Sequence, residues 1–298
     1  PSAQVITKDF GVDPNLFDMK LWNSYSQTVK SPKTLNYFFA PFTFYKKVWQ
    51  GMGGYDTLFR RSREDSDMLQ RFIHANVEIK QTFKAVAYHF SCVTSRGKNW
   101  FDRSNTSAQD RVALQNQADQ VELRRFIRKW GTFNHGEQWI DKFDIDLVLK
   151  NEGKNLSLVH SVEPYFSRVW LSDPAYRDKM LSVTSTEHTY ANSLLNFSNK
   201  NWSDARKLYN ETSYQDIFQV GQPKSFNVKV EVDFSKKNLE YFFKNVIFLH
   251  ELIRKTEGEP GEYEMEDVKI TIKKSVKLTE DYVVKNPPFD RSLLHIYS

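Results

Sequence analysis

The residues best suited to chemistry lie close together in the sequence. Glu64 and Asp65 open an acidic run, Glu64-Asp65-Ser66-Asp67, just after a glycine-rich turn, Gly51-Met52-Gly53-Gly54, with Tyr55 and Asp56 following it and Trp49 just before. Paired glycines let the backbone take positive φ and let a ligand approach the chain closely. A carboxylate at a helix start is held by backbone N–H groups and stays ionised at neutral pH. In that state it can take a proton from a hydroxyl within hydrogen-bond reach. Helix capping is the simpler reading of the same residues. His89 follows Asp65 by 24 residues. It can ligate a divalent metal through a neutral ring nitrogen, or pack beside Tyr88 and Phe90. Arg60, Arg61 and Arg63 are placed to touch phosphate or to form a solvated loop.

The elements that position these groups are legible from periodicity. Met68, Leu69, Phe72 and Ile73 form one apolar helical face beginning at Glu64, and Asn76 is suited to a left-handed cap. The pattern predicts extended chain over 77–90, with Val86, Tyr88 and Phe90 on one face and Ala87 and His89 on the other. Upstream, it predicts a short helix over 17–25, an extended segment interrupted by Pro41, and a short helix over 44–50. A long helix is expected to end at Trp130, stopped by Gly131, with Arg124, Arg125, Arg128 and Lys129 complementing its dipole.

In this order the motifs resemble the acceptor half of a family 2 glycosyltransferase with the GT-A fold. The loop Gly53-Gly54-Tyr55-Asp56 stands where that family has its glycine-rich loop, Arg63-Glu64-Asp65 matches an x-Glu-Asp motif, and His89 matches a C-terminal histidine. FFAPFTFYKKVWQGMGGYD and FIRKWG share the family's look, so the likeness covers roughly residues 35–131. The resemblance implies transfer of a sugar from a nucleotide-sugar donor to an acceptor hydroxyl of a glycan or other molecule, with inversion at the anomeric carbon. It implies Asp65 as general base, Glu64 shaping the acceptor site, and Gly53, Gly54, Tyr55, Asp56 and Trp49 lining the substrate site. His89 would be a ligand of Mn²⁺ or Mg²⁺. The family's Asp-x-Asp should precede the glycine loop, and no such motif stands there. A fragment lacking the nucleotide-binding part is therefore expected, its own activity and metal binding reduced or lost. Asp144-Ile145-Asp146 matches the spelling, but its alternating setting predicts two solvent-facing aspartates. The other reading is a non-catalytic carbohydrate- or protein-binding module derived from the same fold.

The expected fold is α/β: an incomplete GT-A-like, Rossmann-like mixed sheet with flanking helices over 1–135, then a smaller α+β domain over 136–298. In the latter, alternation predicts a half-buried strand from Phe143 to Lys150, a turn at Asn151-Glu152-Gly153 into a partner over 156–160, and a strand from Phe226 to Phe234. A helix over 236–254 and a strand through Val268, Ile270 and Ile272 follow. This domain carries no motif; acceptor selection, self-association and partner docking all stay open.

Composition bounds the rest. At 298 residues the chain can hold two modest cores. One cysteine, Cys92, excludes an intrachain disulfide. The lack of an 18-residue apolar run predicts no transmembrane segment and, with no signal-like start, a cytoplasmic protein. Residues 1–150 hold 22 Lys+Arg against 16 Asp+Glu, a balance of +6 that suits a nucleotide diphosphate. It lacks the dense basic stripe of a nucleic-acid binder.

Overall fold

A computed structural model describes residues 8–11, 14–36, 41–52, 54–56, 59, 62–89, 120–133, 141–153, 155–183, 217–236 and 239–278. The chain divides into two compact units: residues 1–120 with 136–139 and 290–298, and residues 121–135 with 140–289.

In the first unit, helix α1 (Met19–Val29) starts at Asp18, whose carboxylate accepts the Leu21 N–H at 2.9 Å. Strand β1 (Thr34–Leu35) pairs antiparallel with β2 (Gln81–Thr82). Helices α2 (Lys46–Gly51) and α3 (Glu64–His74) flank the glycine turn. The apolar stripe read from the sequence is where α3 packs: Met68, Leu69 and Phe72 are buried. Asn76 closes the helix at φ 55°, the Val77 N–H reaching back to Phe72 O at 2.9 Å, so the expected left-handed cap is present. Residues 83–89 are irregular rather than a strand, although the alternation holds from Val86 to His89. Tyr88 turns inward, within 5.7 Å of the Phe10, Phe17 and Trp22 rings, while His89 is exposed.

The second unit is built on a six-stranded mixed sheet. Its strands are β3 (Ile145–Lys150), β4 (Arg168–Leu171), β5 (Phe218–Val220), β6 (Val228–Asp233), β7 (Gly261–Met265) and β8 (Val268–Ile272). They lie in the order β5-β4-β3-β6-β8-β7, the first four parallel and β8 antiparallel to both neighbours. The two look-alike segments, FDIDLVLKN and FNVKVEVDF, are the adjacent central strands, with Ile145 opposite Val228 and Leu149 opposite Val232. Ile145, Leu147, Leu149, Val228, Val230, Val232, Val268, Ile270 and Ile272 supply one continuous apolar face. Each such side chain stabilises the fold by about 1.5–3 kcal/mol on burial. The helix over 120–130 (α4), α5 (Leu156–Val162), and α7 (Leu239–Asn245) with α8 (Leu249–Lys255) contribute Ile127, Val159, Phe242 and Ile253 to the same core. A helix also spans residues 174–183 (α6).

Three expectations for this region are corrected, and one strand escapes the sequence pattern. The segment after Gly153 is helix α5, not a partner strand, because β3 pairs in parallel with β4 and parallel strands need a crossover. The helix expected over 236–254 is interrupted by a 3-10 turn at Val246–Phe248. Strand β7 was hidden by its polarity: it is an outer strand with Glu262 and Glu264 exposed, joined to β8 by a tight turn with Glu266 at φ 54°. The mixed sheet itself falls in the second unit. No helix among the described residues is long and apolar enough to cross a membrane.

Candidate functional site

The glycine turn and the acidic run meet because α3 reaches back to grip the turn. Asp67 and Arg71 are one helical turn apart and both are buried, Asp67 with 0% and Arg71 with 2% of its surface exposed. The Arg71 Nε donates to Asp67 Oδ2 at 2.9 Å, Nη1 donates to Met52 O at 2.7 Å, and Nη2 to Gly54 O at 2.6 Å. A planar guanidinium with five donors satisfies two backbone carbonyls and a carboxylate together, which a lysine cannot do. Burying this charge is tolerated because it is paired and hydrogen-bonded on every side the fold presents. Sequence reasoning missed it, although the i, i+4 spacing of Asp67 and Arg71 inside an otherwise apolar helical face was a readable signal.

Gly54 sits in the gripped turn at φ 75°, and a Cβ there would lie 3.3 Å from the Trp49 ring. Glycine is needed on both counts: conformation and space. Trp49 in turn stacks on Phe44 (5.1 Å, 7° between planes) and meets Tyr55 edge-on at 4.9 Å. Phe44, Tyr45 and Tyr55 remain exposed, so the turn carries an aromatic surface open to solvent. Asp56 is buried, and Gly53 lies outside the described residues.

Opposite this surface stands the head of α3. Arg63, the residue preceding the helix, takes φ 72°, a left-handed conformation that costs a non-glycine residue on the order of 1–3 kcal/mol. It delivers Glu64 and Asp65 to the first turn. The Tyr55 hydroxyl donates to Asp65 Oδ1 at 3.1 Å. Although the ring is partly exposed, desolvation of its hydroxyl end raises the Tyr55 pKa, and the Asp65 charge and hydrogen bond raise it further, so the phenol keeps its proton and donates a hydrogen bond to the carboxylate. Of the residues singled out in the sequence, Trp49, Gly54, Tyr55 and Asp65 therefore come together, with Glu64 adjacent in the chain.

His89 does not join them. It is exposed, on the opposite side of its segment from the Tyr88 aromatic cluster, and no hydrogen bond or ion pair among the described residues links it to Asp65 or Glu64. No group of three or more His, Cys, Asp or Glu side chains among the described residues is arranged to hold a metal ion.

Asp144 and Asp146 are not solvent-facing, as alternation had suggested. Asp146 is fully buried and accepts from Arg168 Nε at 2.7 Å and Trp170 Nε1 at 3.1 Å. Asp144 accepts from Asn227 Nδ2 at 2.7 Å and from Arg168 Nη2 at 3.3 Å. The reason is β4: its Arg168 lies beside Asp146 in register and supplies the countercharge that makes burial tolerable.

Comparisons with protein-family models, curated proteins and solved structures give no match.

Proposed function

We propose that the first unit is the acceptor half of an inverting glycosyltransferase, with Asp65 as general base. The observation that carries this reading is the Tyr55–Asp65 hydrogen bond beside the Arg71-clamped glycine turn. The Tyr55 hydroxyl orients the Asp65 carboxylate through Oδ1, beside exposed aromatic rings suited to the apolar face of a sugar. In the reaction, Asp65 takes the acceptor hydroxyl proton as that oxygen attacks the anomeric carbon and the bond to the nucleotide diphosphate breaks. Alignment and base catalysis are what these residues supply; no step is assigned to a metal. Glu64 shapes the acceptor side, and the Gly54 turn, packed against Trp49 and held by Arg71, positions Tyr55 beside Asp65.

The test incubates the complete protein, including the nucleotide-binding part that the resemblance calls for, with a panel of nucleotide sugars and hydroxyl acceptors and detects transfer by mass spectrometry. Asp65→Asn is expected to lower turnover by about 10²–10⁴-fold, the usual range for a general base, with donor binding unchanged. Undiminished turnover in that variant overturns the assignment. Glycan binding that Trp49→Ala weakens, with no transfer by the parent chain, identifies a non-catalytic carbohydrate-binding module instead.

A further inference from the structure

The second unit carries apolar helix surface that its own core does not use. Through α7, the 3-10 turn and α8, the chain buries Leu239, Phe242, Val246, Leu249 and Ile253 in that core. Away from it, Tyr241, Phe248 and Leu252 keep 52%, 48% and 38% of their surface exposed. They stand seven and then four residues apart, the spacing that recurs on one side of a helix. The tighter 3-10 turn adds about 20° per residue, roughly 60° in all, so the stripe bends around the rod without leaving its exposed side. One exposed apolar side chain is ordinary; an aligned set marks a contact surface.

The charges beside the stripe say what fits there. Glu240 pairs with Lys244 at 2.7 Å, and Glu251 with Lys255 at 2.9 Å, each pair one helical turn apart. Acid, base, acid, base along the segment is its own complement when reversed. About the midpoint between Ile247 and Phe248, Glu240 lies as far out as Lys255, and Lys244 as far out as Glu251. The elements share this symmetry: α7 and α8 have seven residues each, and the turn between them has three. A second copy laid antiparallel across a two-fold axis near Phe248 therefore meets opposite charge at all four positions. Its Leu252 comes within about 3 Å, along the helix axis, of the level of Tyr241. A parallel copy would set glutamate on glutamate and lysine on lysine. With Arg254, also exposed, the segment carries a single net positive charge, too little to draw it to an anionic membrane.

We propose that this face joins two copies of the chain as an antiparallel helix pair about a two-fold axis at Phe248. The ion pairs are already made within each copy, so across the axis they set direction and register, while the apolar stripe supplies affinity. One helix pair is small beside a permanent interface, so a dissociation constant on the order of 10–100 µM is expected.

Sedimentation velocity of the whole chain from about 5 to 500 µM, which brackets that constant, tests this. A shift from monomer to dimer is expected. Phe248→Asp should abolish it, because two carboxylates then meet at the axis; the position is exposed, and unchanged thermal unfolding checks the fold. Charge reversal gives the sharper reading. Lys244→Glu alone, or Glu251→Lys alone, should weaken dimerisation about 10-fold, since each change acts twice across the axis. An equimolar mixture of these two variants should dimerise as well as the parent, because opposite charges face each other again. The proposal is overturned by a monomer at every concentration, by a dimer that Phe248→Asp leaves intact, or by a mixture that associates no better than either variant alone.

Discussion

Gly131 shows how much a single residue can be constrained. It ends α4 at φ 73°, and a Cβ there would lie 2.7 Å from the His250 ring. His250 cannot swing aside: its Nδ1 accepts the Phe143 N–H at 3.0 Å, which fixes the proton on Nε2, and Nε2–H donates to Tyr165 O at 2.9 Å. Left-handed strain and overpacking therefore act together in Gly131→Ala, and a loss of about 3 kcal/mol in urea unfolding is expected. A loss below ~1 kcal/mol would mean that the ring has room to move. The sequence suggested Gly131 only as a helix stop. Its second role depends on a histidine more than a hundred residues away, which no local pattern encodes.

At the level of elements, α4 is fastened by charge as well as by apolar packing. Glu163, fully buried, accepts from Arg124 Nη2 at 2.6 Å and from Arg128 Nε and Nη2 at 2.8 and 2.6 Å. Removing one partner of such a cluster leaves charges buried without compensation, so Glu163→Ala should cost about 3–5 kcal/mol by chemical denaturation. Wild-type stability in that variant would show that water or another group replaces the carboxylate. Periodicity predicted α3, β6 and β8, because each has one apolar face and one polar face in sequence. The sequence reading gave Arg124 and Arg128 only a role in complementing the helix dipole, since their countercharge, Glu163, lies in another element. It failed in the same way for Asp146, whose partner Arg168 comes from the neighbouring strand, and for α5, too short an apolar run to distinguish helix from strand. In the candidate site, Asp65, Tyr55 and Gly54 were legible as an ordered set. The Arg71 clamp, made through backbone carbonyls that any sequence would offer, was not.

Over the whole molecule, the buried bases of the second unit tie stability to pH. Burial pushes His250 down to about 3, and burial with the Arg128 charge pushes Lys142 to about 7. Both groups take up a proton more readily when the chain is unfolded. Stability contributed by His250 is therefore present above the ordinary histidine value of 6.5 and lost as pH falls from there toward 3. For Lys142 the same loss runs from 10.5 down to about 7. Within either window the slope approaches about 1.4 kcal/mol per pH unit. Urea titrations at a series of pH values should thus show stability rising with pH, and His250→Gln should flatten the acidic part of the curve. An unchanged acidic slope in that variant would place the dependence elsewhere.

The outer strand β7 bears on how copies of the chain can meet. An uncovered strand offers its free backbone groups to any similar strand, which is how sheets polymerise. Glu262 and Glu264 stand along this rim, with Lys269 on β8 paired to Glu262 at 2.8 Å. A second molecule docking here edge to edge would bring the same carboxylates against their own kind, where directly opposed like charges repel. Among the described residues, the carboxylates along this outer strand thus disfavour extension of the sheet through β7.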